Sequence, residues 1–137
     1  MTSLRHTVRV RIYHEDTDAA GVVYHANYLR YMERARTEWL ERCGFDHERA
    51  ARELQVLFVV RSLEVDFLRP ARLGDTLQAT VELEQVRRGL IVFRQQVVRD
   101  ERPLVRAKVT VVCVSTADFS LVPAVPVVLL NAMGVEG

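Results

Sequence analysis

Apolar and polar residues alternate from the start of the chain. Val8, Val10 and Ile12 interleave with Arg9, Arg11 and Tyr13, the period-two pattern of a strand with one buried face. The period then changes. Tyr28, Met32, Ala35, Trp39 and Cys43 recur at steps of four and three, with Arg30, Glu33, Arg34, Glu38 and Glu41 on other faces, which predicts a long helix from about Tyr24 to Arg42. Gly44 is expected to stop it, and Arg34–Glu38 and Glu38–Arg42 are spaced as i,i+4 pairs. Asp46 to Leu54 reads as a shorter helix with Asp46 as its N-cap.

From Val56 the chain is β-patterned. Val56 to Phe67 is apolar and β-branched, with Val59, Leu63, Val65 and Phe67 assigned to one face, and Pro70 with Gly74-Asp75 marks a turn. Leu77, Ala79, Val81 and Leu83 alternate with Thr76, Gln78, Thr80 and Glu82. Arg87-Arg88-Gly89 predicts a tight hairpin whose glycine takes positive φ. Leu90 to Arg99 and Leu104 to Ser115 are two further strands joined by Asp100-Glu101-Arg102-Pro103. The tail from Pro123 through Val127 to Met133 fits either a short packing helix or a strand extension. The order is α+β: a five-stranded antiparallel sheet with one long helix against a face. Leu104 to Ser115, with Val109, Val111 and Val112, would be hazardous as an exposed edge, so a dimer or larger homo-oligomer is expected.

Composition narrows the classes. The 137 residues fit one domain, 1–137, and nineteen basic against eighteen acidic residues give a net charge of +1, so no global field points to nucleic acid. Cys43 and Cys113 fall in apolar patterns without clustered spacing, as buried structural cysteines do. Met1 to His6 has no signal-peptide core, and no run reaches the ~18 apolar residues of a membrane span. The chain is expected to be cytoplasmic.

The chemistry gathers at the strand-to-helix junction, His14-Glu15-Asp16-Thr17-Asp18-Ala19-Ala20-Gly21-Val22-Val23-Tyr24-His25. Three readings stand there. Asp and Gly can simply build a turn. His14, Asp16, Asp18 and His25 are also the residue types that hold zinc or iron. The third reading is hydrolytic, because a carboxylate just before a helix N-terminus stands beside unpaired backbone N–H groups that attract negative charge. No nucleophile elbow, phosphate loop or dinucleotide fingerprint accompanies it.

Asp16-Thr17-Asp18-Ala19-Ala20-Gly21-Val22-Val23-Tyr24-His25-Ala26-Asn27-Tyr28, followed by Glu33-Arg34-Ala35-Arg36, resembles the signature of the 4-hydroxybenzoyl-CoA thioesterase family of hotdog-fold proteins. Its Tol-Pal-associated, YbgC-type subgroup is the most similar. Val65-Asp66-Phe67-Leu68-Arg69-Pro70-Ala71-Arg72-Leu73-Gly74-Asp75 resembles the same family's exit from its second strand. The resemblance implies a helix wrapped by an antiparallel sheet, sheets paired in a dimer, a homotetramer, and active sites at the dimer interface. It maps the catalytic aspartate onto Asp18, although Ala19 stands where some relatives have proline. It implies backbone oxyanion donors near Tyr24 and His25, the His25 side chain having either a chemical or a capping role. A pocket near Gly21, Val22 and Asn27 is implied, as is an Arg87-Arg88 turn for the phosphates of coenzyme A. Glu15 and Asp16 are assigned to the turn, and Glu33 and Glu38 to the solvated or salt-bridged helix face. The expected substrate is acyl-CoA or an acyl carrier protein thioester, with no cofactor or metal. A hotdog hydroxyacyl dehydratase and a non-catalytic acyl-thioester-binding scaffold are the alternatives.

Overall fold

The computed structural model of the chain describes residues 4–135, so Met1 to Ser3 of the stretch read for a leader, with Glu136 and Gly137, lie outside them. The elements are β1 (Arg5–Arg11), a 3-10 turn (His14–Asp16), α1 (His25–Arg42), α2 (His47–Glu53), β2 (Val56–Phe67), β3 (Thr76–Arg87), β4 (Leu90–Arg99), β5 (Arg102–Ser115) and α3 (Val127–Ala132). The strands form an antiparallel sheet in the order β1-β3-β4-β5-β2. This is the α+β, hotdog architecture.

The helical stripe does what its spacing predicts. Tyr28, Met32, Ala35, Trp39 and Cys43 are all buried, and Tyr31 and Leu40 widen the face, each large side chain contributing about 1.5–3 kcal/mol of burial. They pack on Val10, Leu77, Ala79, Val81, Ile91, Phe93 and Val97 from the sheet. One polar contact seats the helix. The fully buried Gln95 donates to Met32 O at 2.9 Å and Thr80 O at 3.1 Å, and accepts from Arg36 at 2.8 Å. α1 ends in a Schellman arrangement: Gly44 takes φ +88° and donates to Glu41 O, while Phe45 N–H donates to Leu40 O. Asp46 caps α2 by accepting from Glu48 and Arg49 N–H. Burial pushes the Cys43 and Cys113 thiols up to about 11, consistent with inert packing residues.

Several expectations are corrected. Glu38 pairs with His6 at 3.0 Å rather than with Arg34 or Arg42, because β1 delivers the imidazole against the helix. Val59 lies on the opposite face from Leu63, since a bulge at Arg61 shifts the β2–β5 register between Val60 and Ser62. The turn after β4 is only Asp100-Glu101, both at positive φ, with Arg102 and Pro103 already in β5. In the β3–β4 hairpin Arg88 takes the positive φ, not Gly89. Gly89 is needed for space: a Cβ there would lie 2.3 Å from Val122 O. The tail takes the helical alternative, forming α3, whose Leu129 and Leu130 are buried, while just before it Leu121 makes an isolated bridge to Val114. Finally, β5 is not an edge. It lies between β4 and β2; the edges are β1 and β2, and β2 carries exposed Val60, Leu63 and Phe67.

Candidate active site

The junction is a small hairpin set between β1 and α1. The 3-10 turn is closed by the Asp16 carboxylate, which accepts from Tyr13 N–H at 2.8 Å, and by the Thr17 hydroxyl donating to His14 O at 2.9 Å. Thr17 then bridges Val23. Between them Asp18 N–H donates to Val22 O at 2.9 Å and Gly21 N–H donates to Asp18 O at 3.0 Å, with Gly21 at φ +79°. That is a type I turn closed by a glycine bulge, and Ala19 sits at a corner most residues tolerate. Asp18 opens the turn. Its Oδ1 accepts Ala20 N–H at 2.8 Å, and its other oxygen has no partner among the described residues.

The hairpin feeds directly into the start of α1. Tyr24 is the N-cap with no side-chain cap bond, and the first turn carries no acid. Tyr24 N–H donates to Asp16 O at 2.9 Å and Asn27 N–H to Tyr24 O at 2.8 Å, whereas His25 and Ala26 N–H have no acceptor among the described residues. The positive end of the helix is therefore open one short hairpin arm from an exposed carboxylate. Such an end can hold an oxygen on which negative charge develops. The His25 ring is exposed and lies 4.6 Å from the Tyr24 ring and 6.0 Å, edge-on, from Phe67 at the end of β2.

The other expected residues divide. Gly21 and Val22 belong to the hairpin, Val22 bridging Arg72. Asn27 is 6% exposed, and its amide is committed to the loop: Nδ2 donates to Asp16 O at 2.9 Å, and Oδ1 accepts from Arg30 at 3.1 Å. Both polar atoms of its side chain thus have a partner in the protein. Arg87 and Arg88 are not brought to the hairpin within one chain. The hairpin adjoins the start of β3, whereas Arg87 ends that strand and Arg88 follows it, about 35 Å away at 3.3 Å per residue. Nor do His14, Asp16, Asp18 and His25 converge, for among the described residues no three His, Cys, Asp or Glu side chains gather as a metal site.

Two features escaped the sequence reading. The Tyr28 hydroxyl, counted only as part of an apolar stripe, accepts Ala71 N–H at 2.9 Å, and Ala71 O accepts Val23 N–H at 2.9 Å. Burial, only partly offset by that hydrogen bond, raises the Tyr28 phenol above its ordinary value. Burial likewise raises Tyr31 well above it; the Asp16 carboxylate adds to this, though no well-aligned hydrogen bond joins them. The second feature is Asp75, which accepts from Arg72 N–H at 2.9 Å and Arg99 at 2.7 Å and props the segment beside the hairpin. Burial pushes its carboxyl up, but these hydrogen bonds and the charges of Arg99 and Arg72 outweigh it and hold the group low. A depressed carboxyl stabilises the fold above its unfolded pKa and loses that contribution as pH falls through the folded value. Asp75→Asn is accordingly expected to flatten the acid side of a Tm-against-pH curve. An unchanged acid slope would remove Asp75 from that role.

With this geometry in place, the chain can be compared with known proteins. Residues 20–106 match the family model of the thioesterase superfamily. Acyl-CoA thioesterase YbgC of Haemophilus influenzae strain Rd is 45% identical over 105 residues, spanning 77% of this chain and 77% of that protein. Acyl-CoA thioester hydrolase YbgC of Escherichia coli O6:H1 is 47% identical over 106 residues, spanning 77% and 78%. Among solved structures, a probable thioesterase from Bartonella henselae superposes with a TM-score of 0.82 at 32% identity, covering 89% of this chain and 99% of that one. The matched residues run through the central helix and most of the sheet, so the chain belongs to the thioesterase superfamily.

Proposed function

We propose that this chain hydrolyses the thioester of an acyl-CoA, or of an acyl carrier protein, to a free carboxylic acid and a thiol. The observation that carries the reading is the free Asp18 oxygen beside the uncapped start of α1. The thioester carbonyl oxygen would lie against the His25 and Ala26 N–H groups. Asp18 then acts by one of two routes. It attacks the carbonyl carbon, expels the thiolate and forms a mixed anhydride that water opens, or it takes a proton from water as that water attacks. Either way charge grows on the carbonyl oxygen, where the helix end opposes it without reorganising. Tyr24 and the His25 ring wall the approach beside Phe67.

The working unit on this reading is a dimer or larger assembly formed through β2. That edge is long, carries exposed Val60, Leu63 and Phe67, and ends at the site. An antiparallel two-fold pairing of β2 edges would set the Phe67 end of one strand beside the Val56 end of the other. The same rotation carries the Arg87-Arg88 hairpin of the second protomer to the site end, where guanidinium groups could meet the coenzyme's phosphates.

The test is release of free thiol from a panel of acyl-CoAs of graded chain length, with affinity measured in parallel. Release of thiol and carboxylic acid with saturable kinetics is expected. Tight binding without release would make the protein a scaffold, and an enoyl product a dehydratase; either overturns the proposal.

A further inference from the structure

We infer that Asn27 and Tyr28 are positioning residues: their side chains, in the first turn of α1, set the placement of the Asp18 carboxylate relative to the helix N-terminal amides. This rests on the role proposed for Asp18. The hairpin around Asp18 has little apolar anchorage of its own, since Asp18 to Gly21 are exposed and Val23 is its one buried residue. Its position against the helix must come mostly from hydrogen bonds.

Those bonds converge on two neighbouring residues. On the incoming arm, Asp16 O accepts from both Tyr24 N–H and Asn27 Nδ2, each at 2.9 Å. The Arg30 guanidinium on Asn27 Oδ1 fixes which way the amide points, leaving Nδ2 for the loop. On the return arm, Val23 N–H donates to Ala71 O, and Ala71 N–H donates to the Tyr28 hydroxyl. Ala71 is thus a strap between the hairpin and the helix. Consecutive helical residues point about 100° apart, so one side chain reaches the incoming arm while the next reaches the flanking segment. Both are buried, Asn27 at 6% and Tyr28 at 3% exposure, so neither is free to contact a substrate.

The apolar stripe of α1 does not depend on these two bonds. Their loss should therefore disturb the alignment of reacting groups more than the fold, and misplacements near 1 Å can cost about 10²-fold in rate. Two near-isosteric variants test this. Asn27→Asp keeps the Arg30 contact but turns an acceptor toward Asp16 O. Tyr28→Phe keeps the ring packing on Tyr31 and Phe67 but removes the acceptor for Ala71 N–H.

In each variant, assayed well below its unfolding midpoint, kcat is expected to fall about ten-fold or more while KM for the same acyl-CoA stays within about two-fold. The double variant should lose less than the product of the two, because both release the same hairpin. Unchanged kcat in both folded variants overturns the inference. A rise in KM at constant kcat also overturns it, assigning the residues to substrate binding. Asp18→Asn is measured alongside. Hydrolysis surviving that change defeats the role of Asp18 itself. Its loss, with normal kcat in the Asn27 and Tyr28 variants, defeats only the positioning role.

Discussion

Replacing Asp18 by Asn is expected to collapse acyl-CoA hydrolysis while leaving the fold intact. The fold survives because the amide oxygen of Asn can still accept Ala20 N–H, and the backbone bond from Gly21 N–H to residue 18 O that closes the turn is untouched. The reaction does not, because Asn supplies neither an anionic nucleophile nor a base. The size of the loss separates the two routes. General-base assistance contributes about 10²–10⁴-fold. Removal of a covalent nucleophile costs up to about 10⁶-fold. Steady-state thiol release, with circular dichroism as the check on folding, gives the number. A folded Asp18→Asn protein that hydrolyses at the wild-type rate would require another residue to do the chemistry.

The second large effect concerns stability. Trp39 is 1% exposed in the last turn of α1 and meets Phe93 of β4 edge-on, with ring centroids 5.8 Å apart. Trp39→Ala would remove that contact and leave a cavity between helix and sheet beside the fully buried Phe93. A loss of about 3–5 kcal/mol is expected. In a chain of this size that lowers Tm by about 10 °C or more. Chemical denaturation would read it directly, and a loss below about 1 kcal/mol would mean that helix and sheet are held elsewhere. Because α1 also presents the open amides of the site, the same variant should lose activity on warming before the wild type does.

These two residues mark the range of what a linear pattern discloses. Trp39 was legible because helical burial is periodic, and a period survives in one dimension. So were the Gly44 stop, the Asp46 cap and the β strands, whose signals lie within a few residues of one another. The acidic junction was legible for a different reason, while Asp18 within it was picked out by the family resemblance alone. The junction's turn, its glycine and the helix start are consecutive in the chain, so it could be read before any tertiary contact was known. The register of β2 was not. A single extra residue at Arg61 turns Val59 to the opposite face, and a bulge leaves no mark in an apolar run. Gly89 was recognised as special for the wrong cause, since its crowding comes from Val122, far along the chain.

The sequence by itself determined the α+β class, the central helix and the acidic junction, because each depends on local periodicity, capping or turn chemistry. Only the tertiary structure decided which strands are the edges, that Asn27 and Tyr28 reach Asp16 O and Ala71 N–H, and that Arg87 and Arg88 of the same chain lie at the far end of β3 from the junction. Those facts depend on strand order and on hydrogen bonds such as the one from Ala71 N–H to the Tyr28 hydroxyl, which joins residues 43 positions apart. A pair so widely separated is set by how the helix lies across the sheet, and no local propensity encodes it.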